Sequence, residues 1–339
     1  MISMVFGVTG QDGSYLAELL LEKGHTVVGV KRRSACPSYD NIQTAITNKK
    51  FILEEGDICD KASLDYLFRK YEPQQVYNLA AQSHVGTSFR QPKLTWDVNA
   101  VGPMNVIDEL FSAVPCARLY QASTSEMFGD SYSSQKNDFV NNVYMVTKYQ
   151  DENTPFRPRS PYAIAKLAAH NTIVMHREAY DRFACAGILF NHESERRGVN
   201  FVTRKITNYV GRLNKHLESG FEADIFPKLQ LGNLEAKRDW GYAPDYVQAM
   251  YMMLNRDTPN DFVIATGHTR SVRDFLTCAF SKIGIYDWSG FVEVDQQHMR
   301  PAEVPHLLGV ATKANNILGW YPVTSFDDMV MKMVLHDSR

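Results

Sequence analysis

A glycine-rich turn near the start of the chain restricts the possible fold more than any other feature of the sequence. It leads out of a short apolar run at 5–9 and into a run at 14–23 whose leucines recur at helical spacing. Glycines let a backbone turn tightly beside a pyrophosphate, and the following helix offers free N–H groups and a positive dipole end. The turn is therefore predicted to bind a dinucleotide cofactor. Its predicted cofactor-binding residues are Gly7, Thr9, Gly10, Gln11, Asp12 and Gly13.

Strand-like and helix-like segments alternate through the first half of the chain. Short β-branched or apolar runs indicate strands, and segments with helical periodicity separate them. The predicted strands lie at 5–9, 27–30, 51–53, 75–80, 118–123 and 185–190, and the predicted helices at 14–23, 62–71 and 95–112. This alternation predicts an α/β fold with a Rossmann-type, doubly wound parallel sheet that helices cover on both faces.

The pattern loosens after about residue 191, where longer loops separate the helix-like stretches. These stretches lie at 201–217, 244–255 and 272–283. We predict a cofactor-binding domain over 1–190 and a smaller C-terminal α/β domain, mainly for substrate, over 191–339. A run at 262–265 is expected to cross back to the main sheet. The polar segment 131–153 lacks clear periodicity and is predicted to be a surface insertion or lid.

Composition and charge exclude several classes of protein. The 339 residues are 44% hydrophobic and 22% charged, as in an ordinary globular protein. The formal charge of −2 gives no global basic field that would attract nucleic acid or an anionic membrane. The five cysteines are scattered, without metal-ligand spacing, and are expected to be reduced thiols. Because no apolar run reaches the length of a membrane span or resembles a signal peptide, we expect a cytoplasmic protein.

The end of the second predicted strand indicates which dinucleotide binds. An acidic residue is expected there when a ribose hydroxyl is bound, but the sequence continues with Lys31, Arg32, Arg33 and Ser34. Guanidinium groups pair well with a 2′-phosphate. A solvated basic turn is the alternative, but the position directly after this strand favours NADP contacts from Arg32 and Arg33.

Two further strand ends are predicted to contact the cofactor. Asp57 and Ile58 follow the third strand, where an aspartate can accept a hydrogen bond from the adenine amino group. Small residues after the fourth strand allow a close backbone approach to the cofactor. The residues predicted there are Leu79, Ala80, Ala81, Gln82 and Ser83.

A tyrosine and a lysine four residues apart form the most specific motif in the chain. Pro161 suits the first turn of a helix, so Tyr162 and Lys166 share one helical face. A tyrosine has an unperturbed pKa near 10, and a nearby ammonium and a cationic nicotinamide are expected to lower it. An ordinary amphipathic helix is the alternative. Together with the glycine turn, the motif predicts that Tyr162 is a catalytic base and Lys166 its partner.

A hydroxyl and a carboxylate follow at the end of the fifth predicted strand. Thr124 and Glu126 are two residues apart, and in an extended segment they project to the same side. The carboxyl ends of strands in such a sheet face the ligand crevice, so both groups could approach one substrate. An acidic residue on a surface loop is the alternative for Glu126.

With these motifs in place, the sequence resembles the extended short-chain dehydrogenase/reductases. Within that group it is similar to the GDP-mannose 4,6-dehydratases, and the resemblance covers nearly the whole chain. The segments that carry it are 124–126, 190–194, 200–205 and 231–241.

The resemblance implies a role for each matching residue. Thr124, Glu126, Tyr162 and Lys166 match the catalytic set, and His192 and Arg197 match further NADP contacts. The positions around the GDP-sugar are matched by Ser83, Thr124, Ser125, Glu126, Asn191, Lys205, Arg238, Arg300 and Glu303. A metal site at His192 and its acidic neighbour is not expected, because no other ligand has suitable spacing.

The resemblance also implies a reaction. GDP-mannose would be oxidised at C4, lose water across C5 and C6, and be reduced at C6 on one bound NADP. Further reduction of the 4-keto product to GDP-rhamnose stays open. The alternatives are a nucleotide-sugar 4-epimerase or reductase of the same fold and, more remotely, a non-enzymatic NADP-sensing protein. A homodimer or homotetramer is implied, with dimer contacts through helices near 95–112 and 161–177.

The chain departs from the family pattern at a few positions. Glu195 replaces the usual proline beside Arg197, and Leu94 replaces a tyrosine that is expected to contact the cofactor. The related dTDP-glucose dehydratases carry an aspartate where this chain has Ser125. The segment 131–153 is also longer than expected. None of these departures removes a residue of the predicted catalytic set.

Overall fold

The computed structural model describes residues 1–140, 143–222, 225–298 and 302–339. The strands are β1 (Ile2–Phe6), β2 (Thr26–Lys31), β3 (Phe51–Glu55), β4 (Gln75–Asn78), β5 (Arg118–Thr124), β6 (Ser133–Val140), β7 (Val143–Tyr149), β8 (Ala184–Leu189), β9 (Asn191–Glu193), β10 (Leu229–Leu231), β11 (Lys237–Tyr242), β12 (Phe262–Ile264), β13 (Thr269–Ser271) and β14 (Val292–Val294). The helices are α1 (Gln11–Glu22), α2 (Gln43–Ile46), α3 (Lys61–Tyr71), α4 (Val85–Arg90), α5 (Pro92–Trp96), α6 (Gly102–Ala113), α7 (Pro161–Tyr180), α8 (Val202–Glu218), α9 (Ala243–Leu254), α10 (Val272–Ser281), α11 (Thr312–Leu318) and α12 (Phe326–Asp337).

Seven of the strands in the described part of the chain form one parallel sheet in the order β12-β8-β5-β4-β1-β2-β3. This confirms the predicted α/β class and the doubly wound sheet. The order reverses between β1 and β4, and ligands of such sheets bind in the crevice at this reversal. The segment at 262–265 does return to the sheet, because β12 pairs with β8.

Apolar side chains bury both faces of the sheet. On one face, α1 and α9 pack together through residues such as Leu16, Leu20 and Met250. On the other face, α3 and α6 pack through residues such as Leu67 and Val106. A fully buried leucine stabilises the fold by roughly 1.5–3 kcal/mol, so these helices hold the strand ends, and the site built on them, in fixed positions.

The C-terminal part contributes a further apolar cluster, separate from the two on the faces of the main sheet. Helices α8, α10 and α12 pack around Trp240, Phe275 and Met333. Strand β11 lies between β9, with which it is parallel, and β13, with which it is antiparallel. Because β9 follows β8 of the main sheet almost directly, the small sheet places its residues beside the crevice.

The segment predicted as an aperiodic insertion forms a hairpin. Strands β6 and β7 pair antiparallel, with Ser133 opposite Tyr149. The prediction gave too much weight to the polar start of this segment. Its second half is rich in β-branched and aromatic residues, such as Val143, Tyr144 and Tyr149, which is a strand signal in the sequence.

Candidate active site

The glycine turn forms a cradle between β1 and α1. Gly7 has a φ of 79°, which favours glycine. A Cβ on Gly13 would lie 2.3 Å from the carbonyl oxygen of Gly7, so helix and turn touch. Gly10 occupies the N-cap of α1 without any side-chain cap, which leaves the first-turn N–H groups directed at the crevice. These features fit a pyrophosphate, as the sequence predicts.

Two residues of this turn bind the C-terminal part of the chain. Asp12 Oδ2 lies 2.8 Å from His192 Nε2, and His192 Nδ1 lies 2.7 Å from the carbonyl oxygen of Phe190. Gln11 donates to the carbonyl oxygen of His192 and accepts from Ser194, at 3.1 and 2.8 Å. Since both ring nitrogens of His192 face acceptors, the ring must carry two protons and a positive charge to donate to both.

The pKa values agree with this ion pair. Burial alone would lower the pKa of His192, but the charge and hydrogen bond of Asp12 raise it overall. Burial likewise would raise the pKa of Asp12, but the charge and hydrogen bond of His192 lower it overall. The two residues therefore form a charged pair at the floor of the cofactor crevice.

The basic residues after β2 differ in their surroundings. Lys31 is buried and donates to Glu55 at 2.7 Å, so its charge is already paired. Arg32 and Arg33 are exposed beyond the strand end. Of the three basic side chains in this run, the two arginines are the accessible ones, and their guanidinium groups could pair with a 2′-phosphate.

The other predicted cofactor contacts lie at neighbouring strand ends. Asp57 accepts from the N–H of Cys59 at 2.9 Å, and Ile58 is buried beside it. The segment 79–83 follows β4 so closely that a Cβ on Gly7 would lie 3.0 Å from the backbone nitrogen of Ala80. Both pieces border the crevice that the glycine turn forms.

Asn99 holds this segment and was missed by the sequence reasoning. Its side-chain amide accepts from the N–H of Gln82 and donates to the carbonyl oxygen of Gln82, both at 2.8 Å. It lies in a π-helical turn, Asp97–Val101, that joins α5 to α6. The helix predicted near 95–112 is present, but this π-turn interrupts its α-helical geometry. No periodicity signal marks a π-turn, although such turns are frequent at functional sites.

The tyrosine and lysine lie on α7 against β5. Ser160 caps the helix by accepting from the N–H of Ala163 at 3.1 Å, and Pro161 occupies its first turn. Tyr162 and Lys166 are both buried, one turn apart. The Thr124 hydroxyl at the end of β5 acts on Tyr162 in the direction that lowers the tyrosine pKa. Lys166 Nζ donates to the carbonyl oxygen of Ala122 at 2.9 Å.

Burial dominates the protonation of this pair. The pKa of Tyr162 is raised to about 12, mainly by burial and also by the charge of Glu126, while Thr124 and Arg197 act in the lowering direction. Burial lowers the pKa of Lys166 to about 8, and the charge of Asp12 opposes this. In the protein alone, the Lys166 ammonium donates to a backbone carbonyl, and Lys166 is not among the groups that lower the pKa of Tyr162. The predicted lowering of the Tyr162 pKa by Lys166 was therefore wrong for the protein alone.

Glu126 lies near Thr124 and Tyr162, as predicted, but it does so in a 3-10 turn and not in an extended strand. Strand β5 ends at Thr124, and Ser125–Phe128 form a 3-10 turn, so the expectation of an extended segment through Glu126 was wrong. Thr124 Oγ1 accepts from the N–H of Glu126 at 3.3 Å and caps the turn. Ser125 and Glu126 are both buried, and the carboxylate of Glu126 lies close enough to Tyr162 to raise its pKa.

The predicted substrate residues lie farther along the crevice. Arg238 is buried and pairs with Glu303 at 2.7 Å, and it also donates to the carbonyl oxygen of Val304 at 2.7 Å. Asn191 begins β9, and Lys205 lies in the first turns of α8. Arg300 lies outside the described residues, so its predicted role stays a prediction.

Arg197 lies near both halves of the site. Its guanidinium stacks 3.7 Å from the ring centroid of Phe201, and its Nε lies 3.2 Å from Glu193. Its charge acts on Tyr162 and Asp12. The neighbouring Glu195 accepts from the hydroxyl of Tyr242 at 3.2 Å.

Among the described residues, no group of three or more histidine, cysteine, aspartate or glutamate side chains is arranged to hold a metal ion. In the same part of the chain, no helix has both the length and the apolar character that a membrane span requires.

Sequence comparison gives matches along almost the entire chain. The sequence model of the family described as GDP-mannose 4,6 dehydratase matches residues 4–333. GDP-mannose 4,6 dehydratase 2 of Arabidopsis thaliana is 44% identical, over 99% of this chain and 86% of the plant protein. GDP-mannose 4,6-dehydratase of Vibrio cholerae is 40% identical, over 99% of this chain and 94% of the bacterial protein.

Solved structures share the fold at lower identity. UDP-glucose 4-epimerase of Thermus thermophilus, in complex with NAD, has a TM-score of 0.81 at 22% identity and covers 99% of both chains. The dTDP-glucose 4,6-dehydratase of Streptomyces venezuelae, with NAD bound, has a TM-score of 0.81 at 19% identity, over 99% of this chain and 96% of that chain.

Proposed function

Because this chain belongs to the GDP-mannose 4,6-dehydratase family, we propose that it converts GDP-D-mannose to GDP-4-keto-6-deoxy-D-mannose and water. It is a hydro-lyase in which oxidation at C4 and reduction at C6 cancel, so no external oxidant or reductant is consumed. The proposal extends to the residues that perform each step and to the identity of the cofactor.

The buried carboxylate of Glu126 beside the hydroxyl pair of Thr124 and Tyr162 carries this proposal. Exchange of hydride at C4, as in a 4-epimerase, requires a hydroxyl and a base at that oxygen. Removal of water across C5 and C6 requires an additional base for the C5 proton. Glu126 supplies that base within reach of the same sugar.

The proposed cofactor is NADP. The uncapped N-terminus of α1 and the cradle of Gly7 and Gly13 fit a pyrophosphate, and the exposed Arg32 and Arg33 fit a 2′-phosphate. When bound, the nicotinamide nucleotide held by these residues would supply the hydride-transfer chemistry that links C4 and C6. Asp12 and His192 neutralise one another at the floor of the crevice, which limits repulsion between Asp12 and the pyrophosphate.

The protein residues move the protons. Tyr162 as phenolate takes the proton of the C4 hydroxyl, and Thr124 hydrogen-bonds to that oxygen. The resulting ketone acidifies the proton on C5, which Glu126 removes. Glu126 then gives that proton to the departing C6 hydroxyl, which leaves as water. C5 takes up one proton when C6 is reduced, and this balances the proton that Tyr162 took from the C4 hydroxyl. The positive charges of Lys166, one turn along α7 from Tyr162, and of the oxidised nicotinamide, when bound, would together favour the phenolate.

The GDP part of the substrate is assigned to the residues beyond β9. Arg238 provides a buried guanidinium suited to a phosphate, and Glu303 beside it provides an acceptor for ribose hydroxyls. Asn191, Lys205, Ser83 and Ser125 complete the proposed sugar and phosphate contacts.

The proposed assembly is a homodimer. Large apolar side chains are exposed on the adjacent helices α5 to α7, including Trp96, Met104 and Ile164, which are 43%, 44% and 48% exposed. A patch of this kind on neighbouring helices is typical of a surface that a second copy of the chain covers.

Product analysis tests the function directly. Purified protein is incubated with GDP-mannose, first without and then with added NADPH, and the products are identified by mass. Loss of one water without NADPH supports the dehydratase, and a further gain of two hydrogens with NADPH adds reduction to GDP-rhamnose. An unchanged mass with bound cofactor contradicts the dehydratase and favours a 4-epimerase; cofactor binding without turnover of any nucleotide sugar favours a sensor.

A further inference from the structure

The β6–β7 hairpin begins shortly after the turn that carries Glu126. Its root, where the chain enters β6 and leaves β7, is attached to the segment that follows Glu303. Gln150, which follows β7, is completely buried. Its backbone N–H donates to the carbonyl oxygen of Leu308 at 2.8 Å, and its carbonyl oxygen accepts from Val310 at 2.9 Å. The root of the hairpin is therefore fixed to the segment that follows Glu303.

Three side chains meet at this root, and we call Tyr132, Lys148 and His306 the hairpin-root cluster. Lys148 Nζ lies 5.4 Å from the ring centroid of Tyr132. The ring of His306 lies 6.0 Å from that of Tyr132, and its Nε2 lies 3.1 Å from the carbonyl oxygen of Lys148. Tyr132 thus lies between a lysine of the hairpin and a histidine of the segment after Glu303.

Several positive charges converge on the hairpin-root cluster. Burial lowers the pKa of His306, and the charges of Lys237, Lys148 and Arg238 lower it further, against one hydrogen bond that raises it. Burial and Asp130 raise the pKa of Tyr132, while Arg238 acts in the opposite direction. The buried guanidinium of Arg238, which is assigned to the substrate, therefore affects the pKa of both His306 and Tyr132.

These charges are incompletely neutralised in the protein alone. Arg238 pairs with Glu303, but within the residues that the structure describes neither Lys148 nor Lys237 takes part in an ion pair. Lys148 is also exposed, so its ammonium is accessible to a ligand. A ligand with two adjacent negative charges, as in the diphosphate of a nucleotide sugar, would match this surplus.

We propose that Lys148 binds the diphosphate of the nucleotide-sugar substrate next to Arg238, and that Tyr132 is a positioning residue for Lys148. The proposal rests on the proposed function, because it assumes a nucleoside diphosphate in this part of the crevice. It gives the hairpin a role in substrate affinity and none in the proton transfers at Glu126 and Tyr162.

The test compares GDP with guanosine as ligands, using calorimetry on the cofactor-loaded protein. In Lys148→Gln, GDP affinity is expected to fall by about threefold to tenfold, the range for loss of one charged contact to phosphate, while guanosine affinity stays unchanged. The KM for GDP-mannose rises by a similar factor with kcat retained. Lys49→Gln, which removes an exposed lysine in the loop before β3, is the matched control and changes neither affinity.

Variants of Tyr132 test the positioning role. Tyr132→Phe keeps the ring and is expected to bind GDP like the parent protein, whereas Tyr132→Ala reproduces the loss seen in Lys148→Gln. The double variant Tyr132→Ala with Lys148→Gln is expected to be no weaker than Lys148→Gln alone, because both changes remove the same contact.

The outcomes separate this proposal from the proposed function. Normal GDP affinity in Lys148→Gln, in a parent protein that binds GDP and dehydrates GDP-mannose, overturns the role of Lys148 alone. Equal weakening of GDP and guanosine overturns it as well, since the effect would not concern the diphosphate. A parent protein that neither binds GDP nor acts on GDP-mannose overturns both.

Discussion

Glu126 separates water elimination from simple hydride exchange at the scale of single residues. Glu126→Gln keeps the size of the side chain but removes the base for the C5 proton. We expect the dehydration rate to fall by about 10²- to 10⁴-fold, the usual contribution of a general base, while the cofactor stays bound. The rate is measured by product mass, and cofactor retention by absorbance of the purified protein.

A surface glutamate provides the control for this substitution. Glu22→Gln lies at the exposed end of α1 and is expected to keep the full dehydration rate. Retained dehydration in Glu126→Gln would show that another group removes the C5 proton, and the residue assignment would then be wrong.

The hydrogen bond from Thr124 lowers the pKa of Tyr162, against burial, which raises it to about 12. Thr124→Val removes that hydrogen bond with little change in volume, so the pKa of Tyr162 rises further. Because Tyr162 acts as phenolate, its active fraction grows with pH and is reduced in this variant at every pH below its pKa. We expect the alkaline-rising limb of the kcat profile to move to higher pH. A reduced rate with an unshifted limb would contradict this reasoning.

At the scale of elements, the Asp12–His192 pair ties α1 to β9. His192→Asn leaves a largely buried carboxylate without its counter-ion, at a cost on the order of 3 kcal/mol in the free energy of unfolding. The double variant Asp12→Asn with His192→Asn removes both charges and is expected to recover much of this loss. Denaturant unfolding of the four proteins measures the coupling, and additive losses would contradict an ion pair.

The pH dependence of this pair has a definite sign. The raised pKa of His192 gives stability that is complete below its unfolded value of 6.5 and is lost as pH rises through the folded value. The lowered pKa of Asp12 gives stability that is present above its unfolded value of 3.8 and is lost as pH falls through the folded value. The contribution of the pair is therefore largest in the mildly acidic window between these unfolded values.

Sequence patterns predicted the long elements of the main sheet and its helices well. They predicted the short elements poorly and missed the long strands β6 and β7. The predicted strand at 27–30 lies within β2, and the predicted helix at 62–71 lies within α3, because both have enough residues to show a period. Three-residue strands such as β9 and β13 are too short for any period and form through tertiary pairing. The 3-10 turn after Thr124 was missed for the same reason.

The candidate site was predictable where a motif fixes the local geometry. Tyr162 and Lys166 share a face of α7 because their spacing is one helical turn. The contact of Asn99 with Gln82 and that of Asp12 with His192 join residues 17 and 180 positions apart, and only the folded chain brings these together. The pKa of Tyr162 also depends on burial, which no local pattern supplies.

For the whole molecule, the exposed apolar surface on α5 to α7 predicts a dimer. We expect light scattering to give twice the chain mass of 38.5 kDa. Ile164→Glu places a charge in the patch and is expected to yield monomers, because burying an unpaired charge at an interface is costly. Ile225→Glu, an exposed isoleucine on another part of the surface, should leave the assembly intact. A monomeric parent protein would contradict the proposed assembly.

The central claim is that the chain moves one hydride within GDP-mannose from C4 to C6 while water is lost. The most direct measurement incubates the protein with GDP-mannose that carries deuterium at C4, without added reductant, and determines the mass of the product. The account predicts loss of one water with the deuterium retained at C6. An unchanged mass, or loss of water together with the deuterium, would contradict it.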